Sequence, residues 1–150
     1  MSKTKTAILA LLCAGVSAGF ALCISFVHYA TWAFVPEVAF PAFQDASAVL
    51  TVPLAVLLGI SSVVLTLITA IRGLPNVPRV VLWVALILAV IPWVATPTIM
   101  IPLQERLAAE GPLPELLKQL VWRDVLLRSL PPVIQSMILL GAVLRSMRRD

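Results

Sequence analysis

Charge is scarce in this chain. Only 12% of its 150 residues are Asp, Glu, Lys or Arg, against roughly 25% in a soluble domain, and they come in short blocks between long uncharged stretches. That pattern excludes an ordinary water-soluble domain and points to a polytopic membrane protein, with one bundle taking up nearly all of 1–150. Histidine is rarer still, since His28 stands alone. One histidine without a second cluster of soft ligands predicts no zinc or iron site, because such sites take three or four protein ligands. A haem could draw one axial ligand from His28, but no second feature favours it, and no cofactor is predicted. No Asp or Glu falls inside a long apolar stretch, which argues against a proton-coupled pump. A Gly-rich phosphate loop, a nucleophile elbow and a folded basic patch for nucleic acid are all missing. The two cysteines, Cys13 and Cys23, share one apolar stretch and would sit roughly 15 Å apart on a helix, beyond disulfide reach. They read as small packing residues.

What is abundant is apolar length. The mean hydropathy is +1.04, and four stretches hold the approximately 20 apolar residues that a helix needs to cross a bilayer: 6–35, 48–71, 80–101 and 125–143. The expected fold is an all-α four-helix transmembrane bundle. With the N-terminus inside, the inner face receives Lys3, Lys5, Arg72, Arg79, Arg145, Arg148 and Arg149, with Asp150 as its one acid. The outer face receives Arg106, Lys118, Arg123 and Arg128 among Glu37, Asp45, Glu105, Glu110, Glu115 and Asp124. The positive-inside rule therefore predicts both termini in the cytoplasm and an integral protein of the plasma (inner) membrane. Lys3, Lys5 and the leucines that follow imitate a signal peptide. The apolar run continues to Val35, however, so the first stretch is read as a span.

The connections are short. Arg72 to Arg79, with Gly73, Pro75 and Pro78, is a tight basic turn. Residues 36–45 are predicted as an apolar loop lying on the membrane surface or over the bundle mouth. After Gly111-Pro112-Leu113-Pro114, leucines at helical spacing through Trp122 predict a short amphipathic helix at the interface before the last span. Every proline within a span (Pro53, Pro92, Pro97, Pro131 and Pro132) falls in its outer half. Broken backbone survives at membrane depth where protein or cavity water satisfies it, so any cavity is expected on the outer side.

Polar residues gather there too. Ala14, Ser17, Ala21, Ser25 and His28 share one face of the first span, within about 80° at 100° per residue, and Trp32 continues it as a pocket wall. Asp124, Arg128 and Gln135 fall within about 40° on the last span. Asp124 and Arg128 are spaced to pair. A ring of His28, Gln135 and Arg128 with Gln104 or Arg106, roofed by Trp93 and Trp122, is the expected site for a planar apolar molecule. Each member also has a structural account: Arg128 snorkelling to headgroups, Gln135 bonding a carbonyl freed by proline, His28 satisfied within the bundle. Gly15 and Gly19, on nearly the opposite face, form a possible self-association surface.

One run resembles a known family. Thr98-Ile99-Met100-Ile101-Pro102-Leu103-Gln104-Glu105-Arg106-Leu107, followed by Trp122 and Arg128, is similar to the anthrone-oxygenase-like family of small four-span membrane proteins. Gly19-Phe20, Val35-Pro36 and Phe40-Pro41-Ala42-Phe43-Gln44 are similar to its first span and loop. The resemblance implies oxidation of anthrones to anthraquinones with molecular oxygen as co-substrate and no recognised metal motif. Gln104, Trp122 and Arg128 match its better-marked positions. Two positions depart: Gln104 stands where Asn is expected, and Val125 where Asn or His is usual. Under this reading neutral His28 takes the methylene proton as general base, Arg128 or Gln104 stabilises the oxyanion, and Trp93 and Trp122 stack on the rings. The alternative is a non-enzymatic small-molecule-binding or accessory membrane subunit using the same pocket.

Overall fold

A computed structural model describes residues 2–148, so Arg149 and Asp150, counted above with the inner charges, lie outside the described residues. Among these residues there is no strand, and the chain folds as four long helices: α1 Lys3–Trp32, α2 Glu37–Arg72, α3 Arg79–Glu110 and α4 Pro114–Met147. All four are long and apolar enough to cross a membrane. Even α1, with 30 residues, measures about 45 Å at 1.5 Å per residue, against roughly 30 Å of hydrocarbon. The helices therefore outrun the spans. The fold is an all-α four-helix bundle.

Local chemistry sets the ends. Ser2 caps α1, its Oγ accepting the Lys5 N–H at 3.2 Å. Gly73 ends α2 with φ 65° and gives its N–H to the Thr69 carbonyl, the left-handed stop that glycine permits at no steric cost. At the end away from the chain termini the structure departs from the predicted loops. Residues 36–45 are not a loop over the mouth, because α2 already starts at Glu37. Phe40 is fully buried there, its ring 5.4 Å from Trp32. Pro41 occupies the first helical turn, where a missing N–H breaks nothing. The stretch Pro114–Asp124 is helical but runs on into the last span, with Leu116, Leu117 and Leu120 buried in the core cluster of that end.

Packing changes along the bundle. At one end Ala7, Ala70, Leu74, Val77, Ala142 and Val143 cluster, which brings the start of α1, the turn after Arg72 and the last turns of α4 together. In the middle Ala10, Ala14, Ala85 and Leu139 meet, and small residues let helices approach closely. At the far end the cluster turns bulky, with Tyr29, Trp32, Phe40, Met100 and Leu120. Large apolar side chains such as Leu12, Leu57, Ile87 and Leu144 cover the outside. Hydroxyls bond inward to their own helices: those of Thr69, Thr96, Thr98 and Ser136 each donate to the carbonyl four residues earlier at 2.7 Å.

Three of the helices change winding in the half away from the chain termini, two of them beside prolines. Ile24–His28 in α1, Thr96–Met100 in α3 and Val125–Ser129 in α4 are single π turns. Such turns recur at functional sites. Pro97 lies within the second and Pro131 follows the third, whereas the first contains no proline. One polar tie crosses the bundle below them. Buried Gln135 on α4 donates through Nε2 to Ser62 Oγ at 3.0 Å and Thr66 Oγ1 at 2.9 Å, both on α2. Gln135→Ala is expected to cost about 1 kcal/mol, the size of an interhelical bond in a membrane protein. Reversible unfolding in mixed micelles measures it, and an unchanged midpoint would show that the tie contributes nothing.

Candidate functional site

The half of the bundle away from the chain termini holds a buried polar network centred on Asp124. Its carboxylate is 1% exposed at the last position before the π turn of α4. Ser25 Oγ, from the π turn of α1, donates to Asp124 Oδ2, and Ser129 Oγ stands 2.8 Å from Ser25 Oγ. The one Ser25 proton belongs on the carboxylate, the stronger acceptor, so Ser129 donates to Ser25. Arg128 Nη1 lies 2.9 Å from Asp124 Oδ1. The contact lies off the line of the N–H bonds, for Oδ1 takes no aligned hydrogen bond, so charge and distance make the pair.

Tyr29 holds the same guanidinium nitrogen from α1. Its Oη accepts from Arg128 Nη1 at 3.3 Å and from Gln104 Nε2 at 3.0 Å. Gln104 is steadied in turn, its backbone carbonyl accepting from Gln44 Nε2 at 3.1 Å. The network thus joins α1, α2, α3 and α4. An ion pair in such surroundings gains Coulomb energy only by giving up solvation, and hydrogen bonds from Ser25 and to Tyr29 offset that loss. Among the described residues, Arg128 Nε and Nη2 have no protein acceptor, and 21% of the side chain is accessible.

That accessible part faces a cavity of about 350 Å³. All four helices line it. Phe20, Ala21 and Ile24 come from α1, Val56, Gly59 and Ser62 from α2, Ala89, Trp93 and Thr96 from α3, and Arg128, Pro132 and Gln135 from α4. Arg128 is the single charged residue of the wall. Trp93 lies against Gly59 so closely that a Cβ built there would stand 2.8 Å from its Cζ2. The cavity can therefore hold a flat apolar body against an indole, with a hydrogen-bond acceptor at Arg128.

The predicted site residues divide into three groups. Trp93, Arg128 and Gln135 meet in the cavity wall. Asp124 and Gln104 stand behind it, acting on Arg128 directly and through Tyr29. His28, Trp32, Arg106 and Trp122 do not line it. His28 turns toward α2, with Nε2 2.6 Å from Ser47 Oγ and 3.3 Å from the Trp32 indole nitrogen. An indole N–H only donates, so this geometry suits the neutral ring with its proton on Nδ1. Trp32 is buried among Tyr29 and Phe40. Arg106 pairs with Glu110 at 3.0 Å on the exposed end of α3, and Trp122 is exposed.

The physical reason for the displaced His28 is the π turn. A π turn winds less per residue than an α turn, so residues beyond it slip in phase from those before it. Ser17 and Ala21 face the cavity, Ser25 meets α4, and His28 has passed to α2. Tyr29, Ser129, Ser62 and Gly59 escaped the sequence reading, while Ser25 belongs to the polar stripe read on the first span. Tyr29 carried the strongest signal, as the chain's one tyrosine inside an apolar stretch, where a phenol needs a polar partner. Among the described residues, no group of three or more His, Cys, Asp or Glu is gathered to hold a metal ion.

No protein-family model matches the chain, and no curated protein or solved structure matches it. The network itself makes a stability prediction. Asp124→Ala leaves Arg128 buried without its counter-charge and is expected to cost about 3 kcal/mol or more. Adding Arg128→Leu should recover part of that loss, since the uncompensated charge is then gone. Thermal unfolding in detergent compares the three proteins. A single variant as stable as the wild type would mean that the pair holds nothing together.

Proposed function

We propose that the chain is an integral membrane protein that binds a planar, largely apolar small molecule in the cavity between its four helices. The observation that carries this reading is the composition of the wall, which is mostly apolar, with a hydroxyl or an amide from each helix and one charged residue, Arg128. At about 350 Å³ the cavity falls within the range of small-molecule sites, roughly 300–1,000 Å³, which combine apolar walls with a few placed polar groups. Rings stack on Trp93, and an oxygen of the ligand takes the donors of Arg128. Gln135 is committed to Ser62 and Thr66, so it shapes the site more than it binds. The lipid bilayer is the surrounding partner, and the open face at Gly15 and Gly19, where nothing lies within 4 Å of an added Cβ, is compatible with self-association.

A second reading, anthrone-oxygenase-like oxidation with molecular oxygen and no cofactor, draws support from Arg128. Held by Asp124 and Tyr29 in a low-dielectric wall, it offers fixed donors to an oxyanion. His28 as general base would have to act from outside the cavity lining, which is why binding comes first. The charge pattern supports both termini in the cytoplasm and a plasma (inner) membrane location. Lys3, Lys5, Arg72, Arg79, Arg145 and Arg148 belong to the end of the bundle that holds the chain ends. A reporter active only outside the cytoplasm, fused after the last residue, should stay silent, and activity would reverse the orientation.

Equilibrium binding of a simple anthrone, followed by tryptophan fluorescence, tests the function. Arg128→Lys keeps the charge but loses the planar fork, so affinity should fall about tenfold, the worth of one hydrogen bond to a charged group. His28→Ala should bind as the wild type does. Oxygen uptake above the spontaneous rate of the anthrone, abolished in His28→Ala, would put the oxidation first. Absence of saturable binding to the wild type rejects both readings.

A further inference from the structure

The cavity has a mouth, and its position is informative. Of the residues that line it, the markedly exposed ones are Val52, Val56, Trp93 and Pro97. All four belong to α2 and α3, while the lining residues of α1 and α4 are buried or half-buried. The opening therefore lies between α2 and α3, on the side of the bundle rather than at its end. Trp93 stands fourteen residues beyond Arg79, about 20 Å along the helix from the basic end. A hydrocarbon layer roughly 30 Å thick starting at those basic residues includes that level. The mouth opens onto lipid tails.

Trp93 occupies this mouth, and two features let it move. Its seat is Gly59, where any side chain would collide with the indole, at 2.8 Å from Cζ2. Contact with a bare backbone holds the ring by packing alone, with no hydrogen bond to break. The helix beneath it is also loosened. Pro92 removes one rung of the backbone ladder immediately before Trp93, and the π turn Thr96–Met100 begins three residues after it. Helices bend at such places.

The polar end of the site selects by charge. Arg128 and Asp124, 2.9 Å apart, are neutral as a pair. An anion arriving from the mouth would bring an unbalanced charge through hydrocarbon, at a cost of several kcal/mol, into a site with no net charge to meet it. A neutral molecule with an oxygen acceptor takes the unused Nε and Nη2 donors and brings no charge with it. Resting on the binding function proposed above, we propose that Trp93, seated on Gly59, is a side gate through which the ligand enters from the bilayer. The ligand class is an uncharged, membrane-dissolved molecule carrying a hydrogen-bond-accepting oxygen.

Photolabelling tests this on the full chain in phosphatidylcholine vesicles. Benzophenone is a neutral aryl ketone that inserts into nearby C–H bonds on illumination, and 4-benzoylbenzoate is its anionic counterpart. Label on the cavity residues Phe20 and Ile24, which are half-buried and buried, is read against label on lipid-facing Leu144, which corrects for partitioning and monitors the fold. Benzophenone should favour the cavity residues, and the anion should label them about fivefold less relative to Leu144. Trp93→Ala should raise cavity labelling by the bulkier 4-phenylbenzophenone about fivefold, while Gly59→Leu should suppress labelling by both ketones.

If Trp93 is only a wall, its loss removes a stacking surface and both ketones label less, which overturns the gate. Equal cavity labelling by the anion overturns the charge selection. If Gly59→Leu does not fold, the Trp93→Ala comparison decides alone. Failure of every probe to label the cavity above Leu144, in the wild type and in Trp93→Ala, sinks the binding function itself. Cavity labelling that ignores Trp93 sinks only the gate.

Discussion

The Asp124–Arg128 pair is the constraint around which the half of the molecule away from the chain termini is organised. A carboxylate that is 1% exposed in a bundle surrounded by lipid cannot stand alone, because an unpaired buried charge costs far more than most single contacts return. Its neighbours follow from that demand. Ser25 and Ser129 bring hydroxyls to the carboxylate, and Tyr29, itself bonded by Gln104, accepts from the guanidinium. Two of the three π turns contain the residues involved, since Ser25 lies in Ile24–His28 and Arg128 and Ser129 in Val125–Ser129. A regular α-helix would present Ser25 and His28 together. The altered winding separates them, one toward the carboxylate and the other toward Ser47.

The cavity is a consequence of how side-chain size is distributed. Alanines at 10, 14 and 85 close the helices together in the middle of the bundle, while an aromatic and aliphatic cluster at Tyr29, Trp32, Phe40 and Leu120 fills the far end. Between them the prolines and π turns keep α3 and α4 from packing as regular rods, and the space left over is about 350 Å³. Its polar lining is largely spoken for. Gln135 serves Ser62 and Thr66, and Thr96 returns its hydroxyl proton to the Pro92 carbonyl. What remains for a ligand is the Ser17 hydroxyl and part of one guanidinium.

The fold was legible because membrane burial writes itself into charge. Lys and Arg blocks at 3–5, 72–79 and 145–148 bracket the apolar stretches, and four helices follow with the expected turns between them. Helix ends were harder to read. Phe40 and Pro41 look like loop residues, yet tertiary burial of Phe40 against Trp32 draws them into α2. In the site, Asp124, Arg128 and Gln135 were readable as a stripe because their spacing suits one face of α4. His28 was misplaced from the cavity because phase arithmetic at 100° per residue assumes an unbroken α-helix, and the π turn in α1 has no proline to announce it. Arg106 enters the predicted site by type and depth, and Trp122 by these and by the family resemblance, and both sit on exposed surface.

A charged residue near the end of a membrane helix often reaches for the headgroups. Arg128 is prevented from doing so, since Asp124 holds one nitrogen by charge and Tyr29 holds the same nitrogen by a hydrogen bond. Both restraints act on Nη1, so the rest of the guanidinium is oriented without being consumed. This division separates stability from recognition within one side chain. The Asp124 side of the pair answers the bilayer's demand for neutrality, and the Nε and Nη2 side leaves donors in a wall where competing water is scarce and each hydrogen bond counts for more than in solution. A lysine could meet the first requirement with its point charge. Only a planar, forked cation meets both at once, which is the physical case for arginine at this position.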